Sequence, residues 1–200
     1  SSLRDARISA SRASSGTLSL SGKTFTAAGG ALNTQGNGTT AISLGSAVLN
    51  AAMNWTMDVD VSSKQADTLS VTSITSNSKK ITISAINWLN TATNVGTAKI
   101  ALMGAANADL ASAIAVSAAN YVNGNLSYKP TKTIESNIAY LTFDYGNLYT
   151  AVKDTSATKT YTMAADEPAL SSGLTEYGAL EGTSLTIEGG NKKILGGTKG

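Results

Sequence analysis

Three aspartates in the middle of the chain are the residues whose type and spacing best suit chemistry. Asp58 and Asp60 are two positions apart, and Asp67 is nearby in sequence. Two carboxylates on one face of a strand can coordinate calcium or act as acid and base on a glycan. No Asp-x-Asp-x-Asp-Gly loop accompanies them, and we interpret Asp58 and Asp60 as solubilising charges that face outward. The sequence therefore assigns no catalytic, cofactor-binding or metal-binding residue.

The other polar and aromatic groups have simpler explanations. Asp166 and Glu167 precede Pro168, which predicts a turn. A face rich in tyrosine could bind sugars or another protein. Alternation places Tyr145 inward and Tyr140 outward, however, so ordinary strand packing explains most of the tyrosines. They concentrate in the second half of the chain, at Tyr121, Tyr128, Tyr140, Tyr145, Tyr149, Tyr161 and Tyr177.

Two residue types are missing, and their absence excludes several kinds of site. The chain has no cysteine, which excludes disulfides, zinc fingers and thiol catalysis. It also has no histidine, which removes the Ser-His-Asp triad and the commonest transition-metal ligand. No GxxxxGK[ST] phosphate loop is present, so Gly189-Gly190 and Gly196-Gly197 are interpreted as chain corners. We expect no cofactor.

Charge is sparse and nearly balanced. Charged residues make up 14% of the chain and the net charge is +2, whereas about 25% charged residues is usual. A nucleic-acid partner is not expected, because binding needs clustered basic residues along one face. Arg4, Arg7 and Arg12 are interpreted as part of a solvated terminal segment. No apolar run approaches the ~18 residues of a membrane span. Because the chain starts at Ser1, we expect a processed product or a piece of a longer protein.

The stretch that must position the aspartates runs from Asn54 to Asn90. Its period of two predicts three strands, with one set of side chains buried and the other in water. Polar corners, SSKQAD and SNSKK, separate the strands. The apolar members of the three runs are Trp55, Met57, Val59 and Val61, then Leu69 and Val71, then Ile81, Ile83 and Ala85.

Further short strands with polar corners are predicted along the rest of the chain. One is the alternating run Ala139, Leu141, Phe143 and Tyr145, which Tyr149 and Val152 continue after a turn at Gly146-Asn147. Such spacing suits a sandwich, a barrel, or a coil of parallel strands in which each turn stacks on the previous one. Residues 105–121 are ambiguous. Asn107 can cap a short helix, whereas Ile114 and Val116 suit a strand, and the alanine content favours a helix or an insertion.

The two ends of the chain share a pattern. Leu18, Leu20 and Gly22 follow the pair Gly16-Thr17. Leu185, Ile187 and Gly189 follow the pair Gly182-Thr183, with one extra residue between. If this echo reflects a repeat, the chain corresponds to one large module of a longer array, with the first coil of the next module at its end.

Several motifs of the middle stretch occur in a characteristic order. An aromatic-x-Met strand (Trp55–Val59) is followed by Ala-Asp-x-Leu (Ala66–Leu69), a Ser/Asn corner (Ser76–Ser78), and an Ile-x-Ile strand that closes on Ile-Asn-x-Leu (Ile81–Leu89). In this order they resemble passenger segments of bacterial autotransporter-like adhesins. The terminal SLTIEGGNKKILGG is similar to the Leu-x-Ile-x-Gly coils of the same group. The resemblance implies a right-handed parallel β-helix, exported and displayed on a bacterial surface.

We therefore expect an all-β fold, a right-handed parallel β-helix, over residues 1–200 as a single segment, with a short helical or loop insertion around residues 105–121. A coil of ~20–25 residues would give roughly eight coils. The expected function is an extracellular structural and adhesive module that forms a stiff rod or fibre without catalysis. Expected partners are neighbouring modules or copies of the chain, and a host surface or glycan. A polysaccharide-active β-helix enzyme and a phage tail-fibre-like module are the alternatives.

Overall fold

The computed structural model describes residues 8–9, 16–20, 22–92, 95–96, 98–105, 110–154, 158–167 and 184–194. The three N-terminal arginines and Tyr177 lie outside these ranges. The chain divides into two compact units. Unit 1 comprises Ser1–Ala92, Thr97–Ala119 and Pro130–Phe143, and unit 2 comprises Thr93–Gly96, Asn120–Lys129 and Asp144–Gly200.

In unit 1 the chain winds through successive coils of short elements. Coil 1 contains β1 (Ile8–Ser9), β2 (Gly16–Leu20) and β3 (Phe25–Ala27). Coil 2 contains β4 (Ala31–Asn33), β5 (Thr40–Leu44) and β6 (Ser46–Leu49). Coil 3 contains β7 (Met53–Asp60), β8 (Gln65–Ala66), β9 (Thr68–Ser70) and β10 (Ser73–Thr75). Coil 4 contains β11 (Ile81–Leu89), β12 (Ile100–Gly104) and α1 (Leu110–Ala113), and β13 (Ile114–Val116) follows.

Equivalent strands of successive coils pair in parallel and form three sheets. Sheet 1 has the order β1-β4-β7-β11-β13, sheet 2 joins β2, β5, β9 and β12, and sheet 3 joins β3, β6 and β10. Matching positions in sheet 1 are 24, 23, 28 and 33 residues apart, namely Ile8, Leu32, Trp55, Ile83 and Val116. This arrangement is a β-solenoid, so the predicted parallel β-helix is confirmed.

The solenoid has about five turns, and the expectation of roughly eight is wrong. One reason is that the later coils are longer. In coil 3 the chain makes a small excursion, in which β8 pairs antiparallel with the end of β7. In coil 4 a helix is added. The other reason is that residues 121–145 fold into antiparallel hairpins instead of further coils.

The predicted alternation of the middle stretch fills the core. Trp55, Met57 and Val59 are completely buried, as are Ile81 and Ile83. Burial of each such side chain contributes about 1.5–3 kcal/mol to folding. Because parallel strands lie ~4.8 Å apart, the inward side chains of one coil pack on those of the next. The core therefore consists of stacked apolar columns.

The segment 105–121 contains both structures that the sequence left open. The predicted short helical insertion is confirmed by α1, which lies where a fourth strand of sheet 3 would follow β10. It contacts β10, and Ser112 Oγ is 3.3 Å from Ser76 Oγ. The β-branched Ile114 then begins β13, which pairs with β11. The predicted cap, Asn107, lies outside the described residues.

Three further strands follow the parallel coils, namely β14 (Tyr121–Asn123), β15 (Leu126–Glu135) and β16 (Ile138–Tyr145). The last of them, β16, joins sheet 2 and pairs antiparallel with β12. Within unit 1, Ile100 of β12 is opposite Leu141 and Gly104 is opposite Ile138. Ser136 and Asn137 both have positive φ and form the tight turn before β16. The antiparallel strand covers the edge of β12 that a further parallel coil would use.

Unit 2 contains a helix and a pair of parallel strands. Tyr149 and Val152 were expected to continue a strand, and this is wrong because they lie in α2 (Leu148–Lys153). Asn147 caps this helix, its side chain accepting a hydrogen bond from Thr150 N at 2.9 Å. The parallel strands are β17 (Lys159–Thr162) and β18 (Leu185–Glu188). Ala151, Tyr161 and Met163 form the local core.

Candidate functional site

The three aspartates of the middle stretch occupy different environments. Asp58 and Asp67 are completely buried, and Asp60 is half-buried. The expectation that Asp58 is an exposed charge is therefore wrong. Asp58 does alternate with the inward residues of β7, but groups from the adjacent coils cover it. Gly36 N donates to Asp58 Oδ2 at 2.7 Å, and Asn87 Nδ2 donates to Asp58 Oδ1 at 2.7 Å.

Asp67 is the centre of a buried hydrogen-bond network between coils 2 and 3. Its Oδ1 accepts from Thr40 N at 2.5 Å. Its Oδ2 accepts from Thr34 Oγ1 at 2.5 Å and from Asp58 N at 2.7 Å. A buried carboxylate is expensive unless such donors surround it, and here two of the three are backbone groups that would themselves lack partners. We name Thr34, Thr40, Asp58 and Asp67 the corner network.

The core residue Trp55 is tied to the same network. Its indole Nε1 donates to Thr34 Oγ1 at 3.0 Å, which leaves the threonine hydroxyl proton for Asp67. The position of the tryptophan ring in sheet 1 is thereby coupled to a polar group at the corner that leads to sheet 2. This arrangement orients a large apolar side chain and a carboxylate by means of one hydroxyl group.

Burial and charge alter the protonation of the corner network. Removal from water raises the pKa of Asp67 above its usual value of 3.8, and the nearby Asp58 charge acts in the same direction. Hydrogen bonds from Thr34 and from the backbone of Asp58 and Thr40 offset part of this effect. Asp67 is thus a carboxyl group that binds its proton more tightly in the folded protein than in the unfolded chain.

Asp60 has a different role, because it stabilises the polar turn that follows β7. Its Oδ1 accepts from Ser62 N at 2.9 Å and from Ser63 N at 3.1 Å, and its Oδ2 accepts from Asn90 Nδ2 at 2.9 Å. Partial burial acts to raise the pKa of Asp60, but these hydrogen bonds outweigh burial and lower the pKa to about 2. The carboxylate is a local cap for the SSKQAD corner.

The geometry does not assemble these carboxylates into a reactive pair. Asp58 has no exposed surface with which to touch a glycan, and Asp60 is occupied by its own turn. Within the described ranges, no group of three or more Asp or Glu residues is placed to hold a metal ion. What the buried carboxylates do is join one coil to the next.

In unit 2 the acidic pair Asp166–Glu167 also serves a corner. Asp166 Oδ1 accepts from Lys193 N at 2.9 Å, and Glu167 N donates to Lys193 O at 2.9 Å. Tyr161 donates its hydroxyl proton to Glu167 Oε1. Burial, with this hydrogen bond and the Glu167 charge, raises the pKa of Tyr161. Glu167 also forms an isolated parallel bridge with Ile194, so the acidic pair joins two segments of unit 2 that are distant along the chain.

The tyrosines that the structure describes do not form one exposed binding face. Tyr121, Tyr128 and Tyr161 are buried, and Tyr145 packs against the local core of unit 2. The hydroxyl of Tyr145 donates to Asp154 Oδ2 at 2.5 Å. The inward position predicted for Tyr145 is consistent with this packing. Strand packing thus accounts for these four tyrosines.

A lysine with a buried amino group lies in unit 2 and was not predicted from the sequence. Lys159 Nζ is 3.8 Å from Asp154 Oδ1 and 5.3 Å from the centre of the Tyr145 ring. Nζ is buried and has no hydrogen-bond partner among the described residues. Burial lowers the pKa of Lys159, and the Asp154 carboxylate partly opposes this effect. The signal was available, since Lys159 is two residues from the inward Tyr161 and shares its side of β17.

No protein-family model, curated protein or solved structure matches this chain. The family resemblance described above is therefore carried by the chain's own motifs. Among the described residues, no helix has the length and apolar character needed to cross a membrane.

Proposed function

We propose that this chain is a structural and adhesive module of an exported bacterial surface protein, similar to autotransporter-like adhesins. It acts as a stiff rod that presents contact surface, without catalysis. The observation that supports this most is the use of its acidic residues. In the parallel solenoid, Asp58 and Asp67 are buried ties between coils instead of groups that line a cleft.

Ties between coils recur at more than one corner. The corner network links coils 2 and 3 where sheet 1 leads to sheet 2. At another corner, Asn77 Nδ2 donates to Leu49 O at 3.2 Å. Sheet pairing and corner ties together resist both sliding and bending of one coil on the next. A rod of this kind holds its outer surface at a fixed distance from its point of attachment.

The outer surface suits neutral polar contacts. Exposed positions on the strands are occupied by residues such as Asn54, Ser70 and Thr75, and charged residues are few. Hydroxyl and amide groups can bind sugars or proteins through hydrogen bonds without the salt dependence of a charged surface. The partner class that fits best is a host surface or its glycans.

An adhesion assay tests this function. Beads coated with the folded chain are expected to bind host cells or immobilised extracellular glycans, with binding that is almost unchanged when salt is raised. Beads coated with the heat-unfolded chain serve as the matched control. Equal binding by both preparations, or none by either, contradicts an adhesive role that depends on the fold.

The enzymatic alternative is tested on the same samples. The chain is expected to release no reducing ends from a panel of bacterial and host polysaccharides. Release that is lost in Asp60→Asn, but retained in the surface control Ser70→Ala, would overturn the proposal in favour of a polysaccharide-active enzyme.

A further inference from the structure

We call each strand of a parallel stack a rung. The last rung that the structure describes in unit 2 is β18, and apolar side chains on it and at the corner after it are exposed to solvent. In the β17–β18 pair, Tyr161 is opposite Ile187. Tyr161 is 6% exposed, whereas Ile187, in the same column, is 43% exposed. At the next corner the two bridged residues differ in exposure in the same way. Glu167 is buried, whereas its bridge partner Ile194 is 59% exposed. Of the three large exposed apolar side chains among the described residues, one lies on β18 and one at the corner that follows it, and the third is Val122.

The free edge of this rung is the one that a following coil would use. In a parallel stack each strand pairs through one edge with the preceding strand and through the other with the following strand. Among the described residues, β18 pairs only with β17, which precedes it. A β-strand with one unpaired edge and exposed apolar residues is a template for another strand.

The complementary edge belongs to β2, the first strand of sheet 2 in unit 1. Among the residues that the structure describes, β2 pairs only with β5, which follows it. Its unused edge is the one that a preceding coil would occupy. The two strands also have similar sequences. Leu18 and Leu20 of β2 correspond to Leu185 and Ile187 of β18 in the pattern that the two ends of the chain share. A glycine with positive φ follows each strand, Gly22 two residues after Leu20 and Gly190 three residues after Ile187.

We propose that β18 of one copy pairs in parallel with β2 of a second copy, with Leu185 opposite Leu18 and Ile187 opposite Leu20. The second copy then supplies the rung that covers Ile187 and continues the apolar column. The two surfaces differ, so the contact is head-to-tail, and each copy can bind one further copy through β2 and another through β18. This inference rests on the proposed rod function and specifies how rods join.

Engineered cysteines test the register, because the chain has none of its own. In the proposed register Ser19 is opposite Thr186, and both are exposed. Neighbouring strands lie ~4.8 Å apart, within the Cα separation that a disulfide needs. Mild oxidation of the Ser19→Cys/Thr186→Cys variant is therefore expected to give a ladder of dimers, trimers and longer chains on a non-reducing gel. Each single-cysteine variant is expected to stop at dimers.

The matched control moves one cysteine along the same strand. In Thr17→Cys/Thr186→Cys the two Cα atoms would be about 8 Å apart, too far for a disulfide. Its ladder is expected to be about tenfold weaker. Adding Ile187→Asp to the Ser19→Cys/Thr186→Cys variant is expected to abolish the ladder while the circular dichroism spectrum is retained. Adding Val122→Asp instead is expected to leave the ladder intact.

The outcomes separate this inference from the proposed function. No species above dimers in the Ser19→Cys/Thr186→Cys variant at its highest soluble concentration, or equal ladders in both registers, overturns head-to-tail pairing. If fold-dependent adhesion persists in that case, only the joining mechanism is wrong. A ladder in the predicted register from a chain without fold-dependent adhesion overturns the adhesive function and leaves the pairing in place.

Discussion

Thr34 and Asp67 lie in different coils, and the Thr34 hydroxyl donates a 2.5 Å hydrogen bond to Asp67 Oδ2. The same hydroxyl accepts from the Trp55 indole at 3.0 Å. A single threonine therefore connects an apolar column to a buried carboxylate. Loss of either partner would leave a buried polar group unsatisfied, so this corner should contribute strongly to the stability of the solenoid.

Replacement of Asp67 is expected to destabilise unit 1 severely. Asp67→Ala removes the acceptor of the Thr34 hydroxyl and of the Thr40 and Asp58 backbone N–H groups. Each buried donor left without a partner costs about 1–3 kcal/mol, and relief from burying the carboxylate offsets part of the sum, so we expect a loss of about 3–5 kcal/mol. Urea unfolding measures it. A loss no larger than that of the exposed control Ser70→Ala would show that the network is dispensable.

The pH dependence of stability should report the raised pKa of Asp67. The folded protein binds this proton more tightly than the unfolded chain, so the contribution of Asp67 is fully present below pH 3.8. It is lost as pH rises through the folded pKa. The stability of the wild type relative to Asp67→Asn is therefore expected to fall as pH is raised from 3 towards neutrality. An increase over this range would contradict the assignment.

Asp60 should show the opposite dependence. Its pKa is lowered from 3.8 to about 2, so its contribution is present above pH 3.8 and is lost as pH falls through about 2. The stability of the wild type relative to Asp60→Asn is expected to be larger at pH 5 than at pH 2. Denaturant titrations at the two pH values measure the difference. A constant difference would mean that hydrogen bonds at the turn do not depend on the charge.

Gly45 should tolerate no side chain, because coils 1 and 2 approach closely there. A Cβ at this position would lie 2.5 Å from Lys23 O and 2.9 Å from Lys23 N, both of which are backbone atoms. Gly45→Ala must shift the corner, and we expect a loss of about 1–3 kcal/mol. At Gly104 the nearest atom to an added Cβ is 4.0 Å away. Thermal unfolding should therefore show a clear decrease for Gly45→Ala and little change for Gly104→Ala.

The sequence predicted the coils of the middle stretch better than the ends of the stack. A period of two identified the inward residues Trp55, Met57 and Val59, because alternation determines which face of a strand is apolar. Alternation is the same in parallel and antiparallel strands, however. The run from Ala139 to Tyr145 was therefore recognised as a strand, but its antiparallel pairing with β12 was not predicted.

The buried aspartates could not be predicted for a related reason. Asp58 occupies an outward position in its strand, and the pattern alone indicates exposure. Its burial depends on Gly36 and Asn87, which are 22 and 29 residues away along the chain. Only the stacking register of three coils brings these groups together. A position-by-position reading of one strand does not contain that register.

Immunogold labelling of intact source cells tests the central claim, a rod displayed at the cell surface, most directly. Antibodies raised against the folded chain should label the outside of unpermeabilised cells, with gold particles at a narrow distribution of distances from the membrane. That distribution reflects the stiffness of stacked coils. Labelling that appears only after permeabilisation would contradict surface display, and a broad distribution reaching down to the membrane would contradict a stiff rod.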